Sequence, residues 1–417
     1  MHTHIIGQTG TGKSTFLAHQ MARDLQSGAG FCLLDPNGDL ANTIADTVPP
    51  ERTNDVIFIQ PRDPGHAHGL NPLIQLTALE RAALAARIVD VIRSLNPDSW
   101  GPRLDYILTN CIRLLLERPN TSLIDLPRLL TDRSFRRLLL ARCGDPFIKA
   151  FFDLEYDQWT EKFRSEAISP IQNKVGQIAN NPLLRHLLAH RTLSMADIMD
   201  RRKILIVNLS KSIGQEPSRI LGGMIVAAIM QAAEARDVIP EHDRVPFKLY
   251  MDEFQNFITP TIAEALAEAR KYKLSLILAH QYLHQIEAVE AAVMANTFCK
   301  IAFRISADDA ERLASPFELA ARQLIDLPDY SYRTVYPMNG MPSQAALRRV
   351  EPFVPAYAGR IPAIVARNRA RWAVPREQLE KRFTPPRPKL RWRGKTSKTE
   401  PSPKTASKKY GSKKSAW

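Results

Sequence analysis

The segment Gly7-Gln8-Thr9-Gly10-Thr11-Gly12-Lys13-Ser14-Thr15 carries the first chemistry in the chain. It fits the phosphate-loop pattern G-x-x-x-x-G-K-[ST], with His4-Ile5-Ile6 ahead of it and Phe16-Leu17-Ala18 behind. A strand, a tight loop and a helix start, in that order, are what phosphate binding requires. The glycines let backbone N–H groups turn inward around phosphate oxygens, and the helix dipole adds positive potential there. Gly7 to Thr15 are therefore the expected nucleotide-binding residues. Lys13 is expected to reach the β- and γ-phosphates, and Ser14 to hold Mg²⁺.

A phosphate loop works with a second, acidic strand. Phe247-Lys248-Leu249-Tyr250-Met251-Asp252-Glu253-Phe254 supplies one, mostly apolar and ending in two carboxylates. Asp252 is placed to join Ser14 in the Mg²⁺ shell, and Glu253 to polarise the attacking water. The next apolar run, Leu274–Ala279, ends in His280-Gln281. Gln281 reads either as a sensor of the γ-phosphate or as a capping residue. Arg270, within Ala269-Arg270-Lys271, reads in two ways as well. It is either a finger acting on a neighbouring subunit's nucleotide or a cation favoured by a helix C-terminus. Arg304 is a rival finger. Asp35-Pro36-Asn37-Gly38-Asp39 is a strong turn signature, and it also follows a strand where α/β sheets bind ligands.

The elements that must hold these residues are legible as alternating runs. Short apolar segments recur at Phe31–Leu34, Val56–Ile59, Ile204–Asn208, Lys248–Asp252, Leu274–Ala279 and Lys300–Phe303. Helical stretches such as Ser218–Arg236 and Pro260–Lys273 separate most of them. Buried strands alternating with helices predict an α/β fold with a predominantly parallel sheet. Residues 78–201 differ, being rich in Leu, Ala and Arg at helical spacing, and read as an all-α insertion between two strands. The expected division is thus 1–77 and 202–350 for the sheet domain, interrupted by that insertion. Residues 351–383 read as a Pro/Arg-rich linker, and 384–417 as a disordered basic tail.

Composition narrows the class. The chain has 417 residues, 44% hydrophobic and 24% charged, which is ordinary for a globular protein with ample core. Its net charge is +14, yet residues 360–417 hold 18 Lys+Arg against 3 Glu, leaving the preceding body at −1. Arg387, Lys389, Arg391, Trp392 and Arg393 give the tail phosphate-binding and base-stacking potential. Cys32, Cys111, Cys143 and Cys299 form no C-x-x-C pair, favouring a reduced, cytoplasmic setting without structural zinc. The most apolar run, Ile220–Ala233, is 14 residues long. A membrane span needs about twenty, so no membrane span is expected in this chain.

The motifs together resemble one family. The phosphate loop, Leu33-Leu34-Asp35-Pro36-Asn37-Gly38-Asp39-Leu40, Leu70-Asn71-Pro72-Leu73, Met251-Asp252-Glu253-Phe254-Gln255, Ala269-Arg270-Lys271 and Ala279-His280-Gln281 occur in the order of the FtsK/HerA superfamily. The chain most resembles its type IV secretion coupling-protein branch and the related HerA-like ATPases, over roughly residues 1–330. The resemblance implies a RecA-like ATPase domain acting as a homohexameric ring that moves DNA through its channel on ATP and Mg²⁺. It implies Arg270 as the trans-acting finger and Gln281 as the γ-phosphate sensor. Relaxase or secretion-channel proteins, or a nuclease, are the implied partners, and the inner face of the membrane is the implied place of work. Coupling proteins usually carry a transmembrane anchor, and HerA-like proteins a small β-barrel, before the loop; here six residues precede it. Rival readings are a HerA-like motor in repair or mobile-element defence, a secretion ATPase that does not touch DNA, and a nucleic-acid-binding adaptor.

Overall fold

The computed structural model describes residues 1–74, 76–95, 100–210, 213–338 and 341–383. The tail at 384–417, read as disordered from its composition, lies outside the described residues.

The strands are β1 (Thr3–Ile6), β2 (Gly30–Asp35), β3 (Val56–Ile59), β4 (His66–His68), β5 (Ile204–Asn208), β6 (Phe247–Met251) and β7 (Leu274–His280). After them come β8 (Cys299–Ala302), β9 (Ser331–Val335), β10 (Pro337–Met338), β11 (Met341–Pro342), β12 (Ala346–Arg349) and β13 (Ala373–Pro375). Nine of them form one sheet in the order β12-β9-β8-β1-β7-β6-β2-β5-β3. From β8 to β3 every pairing is parallel, while β9 and β12 turn back antiparallel at one edge. Every residue of β2 and β3 is buried, as parallel strands covered on both faces require. Alternation sorts their side chains. Phe31 and Leu33 pack toward α1 (Lys13–Gln26) and α2 (Asp39–Ala45), whereas Cys32 and Leu34 join the core on the other face.

Between β4 and β5 the chain forms α3 (Ala78–Leu95), α4 (Pro102–Leu116), α5 (Leu126–Thr131), α6 (Arg133–Leu140) and α7 (Pro146–Ala150). Then follow α8 (Glu161–Asn180), α9 (Pro182–Leu188) and α10 (Met195–Asp200). Their apolar faces merge with the sheet core through α11 (Gln215–Glu234). The Leu70-Asn71-Pro72-Leu73 motif stands where this helical excursion leaves and returns. Leu70 bridges Arg191 across the gap, and the Asn71 amide donates to the Thr121 carbonyl at 2.7 Å. The remaining helices are α12 (Pro260–Glu268), α13 (Glu290–Asn296), α14 (Ala307–Phe317), α15 (Arg322–Ile325), α16 (Ile361–Trp372) and α17 (Arg376–Phe383). The helix expected over Pro260–Lys273 ends early. After Glu268 it tightens into a 3-10 turn, and Lys273 takes a left-handed conformation with φ 57 before β7 starts.

Residues 351–383, read from composition as a linker, fold back over the sheet. Arg360 N–H donates to Asp46, α16 packs along β3, β13 pairs with β4, and α17 rests on α9. Buried Asn368 ties this strap to the sheet edge. Its carbonyl accepts from Phe58 N–H at 2.8 Å and its amide donates to Val56 O at 3.2 Å. One side chain thus occupies backbone groups of the edge strand β3, which would otherwise be a template for stray pairing.

Candidate active site at the carboxyl edge of the sheet

β1 delivers the phosphate loop to the carboxyl edge between β7 and β8. Gly7 N–H donates to His280 O at 3.3 Å and Gln8 N–H to Arg304 O at 2.9 Å, so both neighbouring strands hold the loop. A Cβ on Gly7 would lie 2.6 Å from the Phe303 Cβ, which explains glycine where the loop crosses β8. Gly12 has φ 112 and stands at the N-cap of α1, a turn that an L side chain resists. Lys13 is buried and donates to Gly7 O at 2.5 Å and Gln8 O at 3.0 Å. Burial lowers its pKa, while the Glu253 and Asp252 carboxylates oppose that fall.

β6 brings Asp252 and Glu253 to the same edge. Ser14 Oγ donates to Asp252 Oδ2 at 3.3 Å. Burial, reinforced by the Asp35 and Glu253 carboxylates, pushes Asp252 up to about 7. A divalent cation would reverse this preference by favouring the carboxylate. Two hard oxygens this close fit one small cation such as Mg²⁺. Among the described residues no cluster of three or more His, Cys, Asp or Glu could hold a metal. The pair therefore suits an ion that takes its other ligands from phosphates and water.

Glu253 sits in the left-handed region at φ 48. Strain of this kind in a non-glycine residue persists where surrounding contacts over-determine it. Here the Gln281 amide donates to Glu253 Oε1 at 2.9 Å and Oε2 at 3.0 Å, and the Gln255 amide to Oε2 at 2.7 Å. Gln281 Oε1 in turn accepts from Thr9 Oγ1 at 3.0 Å. The chain Thr9–Gln281–Glu253 joins the phosphate loop to the candidate base. Behind it, His4 on β1 and His280 on β7 are both buried, stacked at 4.9 Å, and bonded Nε2 to Nε2 at 2.7 Å. Because His280 Nδ1 faces the Tyr282 carbonyl at 3.1 Å, Nδ1 donates there and His280 Nε2 accepts from His4.

Lys13, Ser14, Asp252, Glu253 and Gln281 are thus brought together with the loop. Arg270 is not. It lies before β7, at the opposite edge of the sheet, with its guanidinium 5.8 Å from the Phe298 ring centroid. The seven residues of β7 put it about 20 Å from this subunit's loop. Arg304 pairs with Asp329 at 2.7 Å and lends its carbonyl to the loop of its own subunit. Asp35 is buried and accepts from Asn37 N–H and Ala41 N–H at 2.9 and 2.8 Å, so its carboxylate builds the turn into α2. Three contributors escaped the sequence reading: Gln255 as a partner of Glu253, Thr9 as a partner of Gln281, and Tyr330, whose N–H donates to Thr11 O at 2.9 Å.

The model of the type IV secretion-system coupling protein DNA-binding domain matches residues 1–311. The chain belongs to this coupling-protein family. Solved structures share its fold at low identity. The plasmid coupling protein TrwB in complex with the ATP analogue ADPNP is 16% identical, with TM-score 0.65 and 86% of each chain covered. TrwB in complex with ADP and Mg²⁺ is 16% identical, with TM-score 0.62, covering 86% of this chain and 87% of that one. VirB4 of Thermoanaerobacter pseudethanolicus is 14% identical, with TM-score 0.55, covering 84% of this chain and 89% of that one. No curated protein matches the coupling-family chain. Among the described residues no helix is long and apolar enough to cross a membrane.

Proposed function

We propose that this chain is an ATP-driven DNA translocase of the type IV secretion coupling class, hydrolysing ATP between subunits of a homohexameric ring. The observation that carries the reading is the unbroken contact Thr9–Gln281–Glu253 beside the Ser14–Asp252 oxygen pair. Membership of the coupling-protein family, and the ADPNP and ADP–Mg²⁺ complexes of TrwB, support ATP as the nucleotide.

When ATP binds, Lys13 exchanges the Gly7 and Gln8 carbonyls for β- and γ-phosphate oxygens. Ser14 and Asp252 would hold Mg²⁺, which when bound would supply charge neutralisation at the phosphate oxygens. Glu253 accepts the proton of the attacking water, and Gln281 aligns its carboxylate and reports on the γ-phosphate through Thr9. Arg270 belongs to the neighbouring subunit's site, where its charge stabilises the transition state. Relaxase or channel proteins would set the place of work at the inner face of the membrane.

The test is ATP turnover by the full chain with and without DNA. DNA should stimulate the rate, and Lys13→Ala and Glu253→Gln should abolish it. Turnover that neither duplex nor single-stranded DNA alters would refute the motor.

A further inference from the structure

One aromatic residue that the hydrolysis chemistry does not use is held hard against the phosphate loop. Tyr330 immediately precedes β9, and the antiparallel register Ala302↔Arg333 returns it to the carboxyl edge beside the loop. Its N–H donates to Thr11 O at 2.9 Å, and its carbonyl accepts from Val350 N–H at 2.7 Å. Between these two bonds its backbone is fixed at φ 63. That is a left-handed conformation which a bulky aromatic rarely adopts and for which Gly, Asn or Asp is the usual choice. A Cβ on Gly12 would sit 3.0 Å from Tyr330 Cδ1, so the ring lies over the last glycine of the loop. Tyr330 nevertheless keeps 41% of its surface exposed. Behind it, Phe16, Phe303 and Tyr332 pack ring against ring at 5.2 to 6.3 Å and give the loop a stiff backing.

The direction of a bound triphosphate follows from the groups already described. Its γ end is fixed on the β6–β7 side, where Ser14 meets Asp252 and Gln281 meets Glu253. Its nucleoside end therefore leaves the loop on the other side, past Gly12 and toward the β8–β9 connection. The exposed ring met there is Tyr330.

We propose that Tyr330 is the platform on which the purine of the bound nucleoside triphosphate stacks. The proposal rests on the reading of the loop as an ATP site and adds the residue that recognises the base. An aromatic face accepts any purine π-system without reading its hydrogen-bonding edge, so adenine and guanine nucleotides would both be held. The strained backbone then has a purpose: it turns the ring out of the β9 side-chain alternation and over the loop.

Calorimetric titration of the full chain with Mg·ATP and, separately, with inorganic tripolyphosphate separates the possibilities. Tyr330→Ala should weaken ATP binding about 10-fold and leave tripolyphosphate binding unchanged, while Tyr330→Phe should bind both like the parent. Unchanged ATP affinity in Tyr330→Ala would overturn the platform, and so would equal weakening of both ligands, which would make Tyr330 a support of the loop alone. If the parent chain binds tripolyphosphate at least as tightly as it binds ATP, the base contributes nothing and the platform fails while the phosphate site stands. If the parent binds neither ligand, the ATP-site reading itself falls.

Discussion

The Gln281 side-chain amide donates to both carboxylate oxygens of Glu253, at 2.9 and 3.0 Å, across 28 residues of sequence. The same amide's oxygen is held by Thr9 of the phosphate loop. A group bonded to the base on one side and to the loop on the other would couple a γ-phosphate held by the loop to the base. Gln281→Ala removes that coupling and leaves the phosphate cradle intact. The expected outcome is a fall in kcat on the order of 10²-fold, comparable to losing one aligned donor, with KM for ATP little changed. Steady-state ATPase kinetics in the presence of DNA would check it. A variant that raises KM and leaves kcat alone would reduce Gln281 to a binding or capping residue.

Arg270 is separated from its own loop by the length of β7 yet lies exposed near the chain's first residues. An arginine so placed can act on a nucleotide only across a subunit boundary. Arg270→Ala and Lys13→Ala should each abolish turnover when pure. Mixed in one ring, however, they should restore part of it, because some interfaces then pair an intact loop with an intact finger. ATPase activity across a series of mixing ratios would reveal this, and a strictly additive, inactive mixture would return Arg270 to its role at a helix end. Arg304 serves as the control. Its pairing with Asp329 beside its own loop leads us to expect no complementation between Arg304→Ala and Lys13→Ala.

The parts of this site that could be read from the residues are those whose chemistry is local. Lys13 and Ser14 follow from one contiguous pattern, and Asp252-Glu253 from an apolar run that ends in carboxylates. Parallel strands buried on both faces announce themselves as β-branched runs, which is why the seven parallel strands were nearly all visible as segments. The remainder depends on what tertiary structure brings together. Nothing near Gln255 in sequence says that it shares a carboxylate with Gln281, and no pattern marks Tyr330, because a left-handed tyrosine is created by two backbone bonds from distant segments. Composition also misled at 351–383. Proline and arginine suggested an extended linker, but Ile364 and Asn368 recur at helical spacing and are both buried. Two inward residues are too weak a signal to outweigh the surrounding charge.

Asn368 makes a sharp test of that strap. Its amide satisfies Phe58 N–H and Val56 O, and it also donates to Ile364 O at 2.8 Å within α16. Asn368→Leu keeps the branched outline of the side chain but leaves buried backbone groups without partners, at a cost of about 1–3 kcal/mol. The expected outcome is a melting temperature lower by several degrees, with ATP affinity retained because four strands separate the edge strand β3 from β1. Hydrogen exchange should quicken first at Val56–Ile59. Unchanged protection there would mean that packing of α16 alone covers the edge.

The buried His4–His280 pair predicts how stability depends on pH. Burial holds His4 well below 6.5 and His280 at about 4, with the Tyr282 carbonyl only partly offsetting it. Both imidazoles are therefore neutral in the folded protein and take up protons more readily when it unfolds. Their contribution is present above pH 6.5 and is lost progressively as the pH falls from 6.5 toward 4. Asp252 works in the other direction. Its raised pKa, about 7 against an ordinary 3.8, adds stability that is present at low pH and lost as the pH rises through 7. The two effects separate in the double variant His4→Leu/His280→Leu, which replaces the bonded pair with apolar groups and leaves Asp252 in place. Thermal unfolding at pH 7.5 and pH 5 should show a smaller acid-induced fall for the double variant than for the parent. Equal falls would mean that the pair remains neutral down to lower pH in the unfolded chain as well, so that its burial carries no pH dependence.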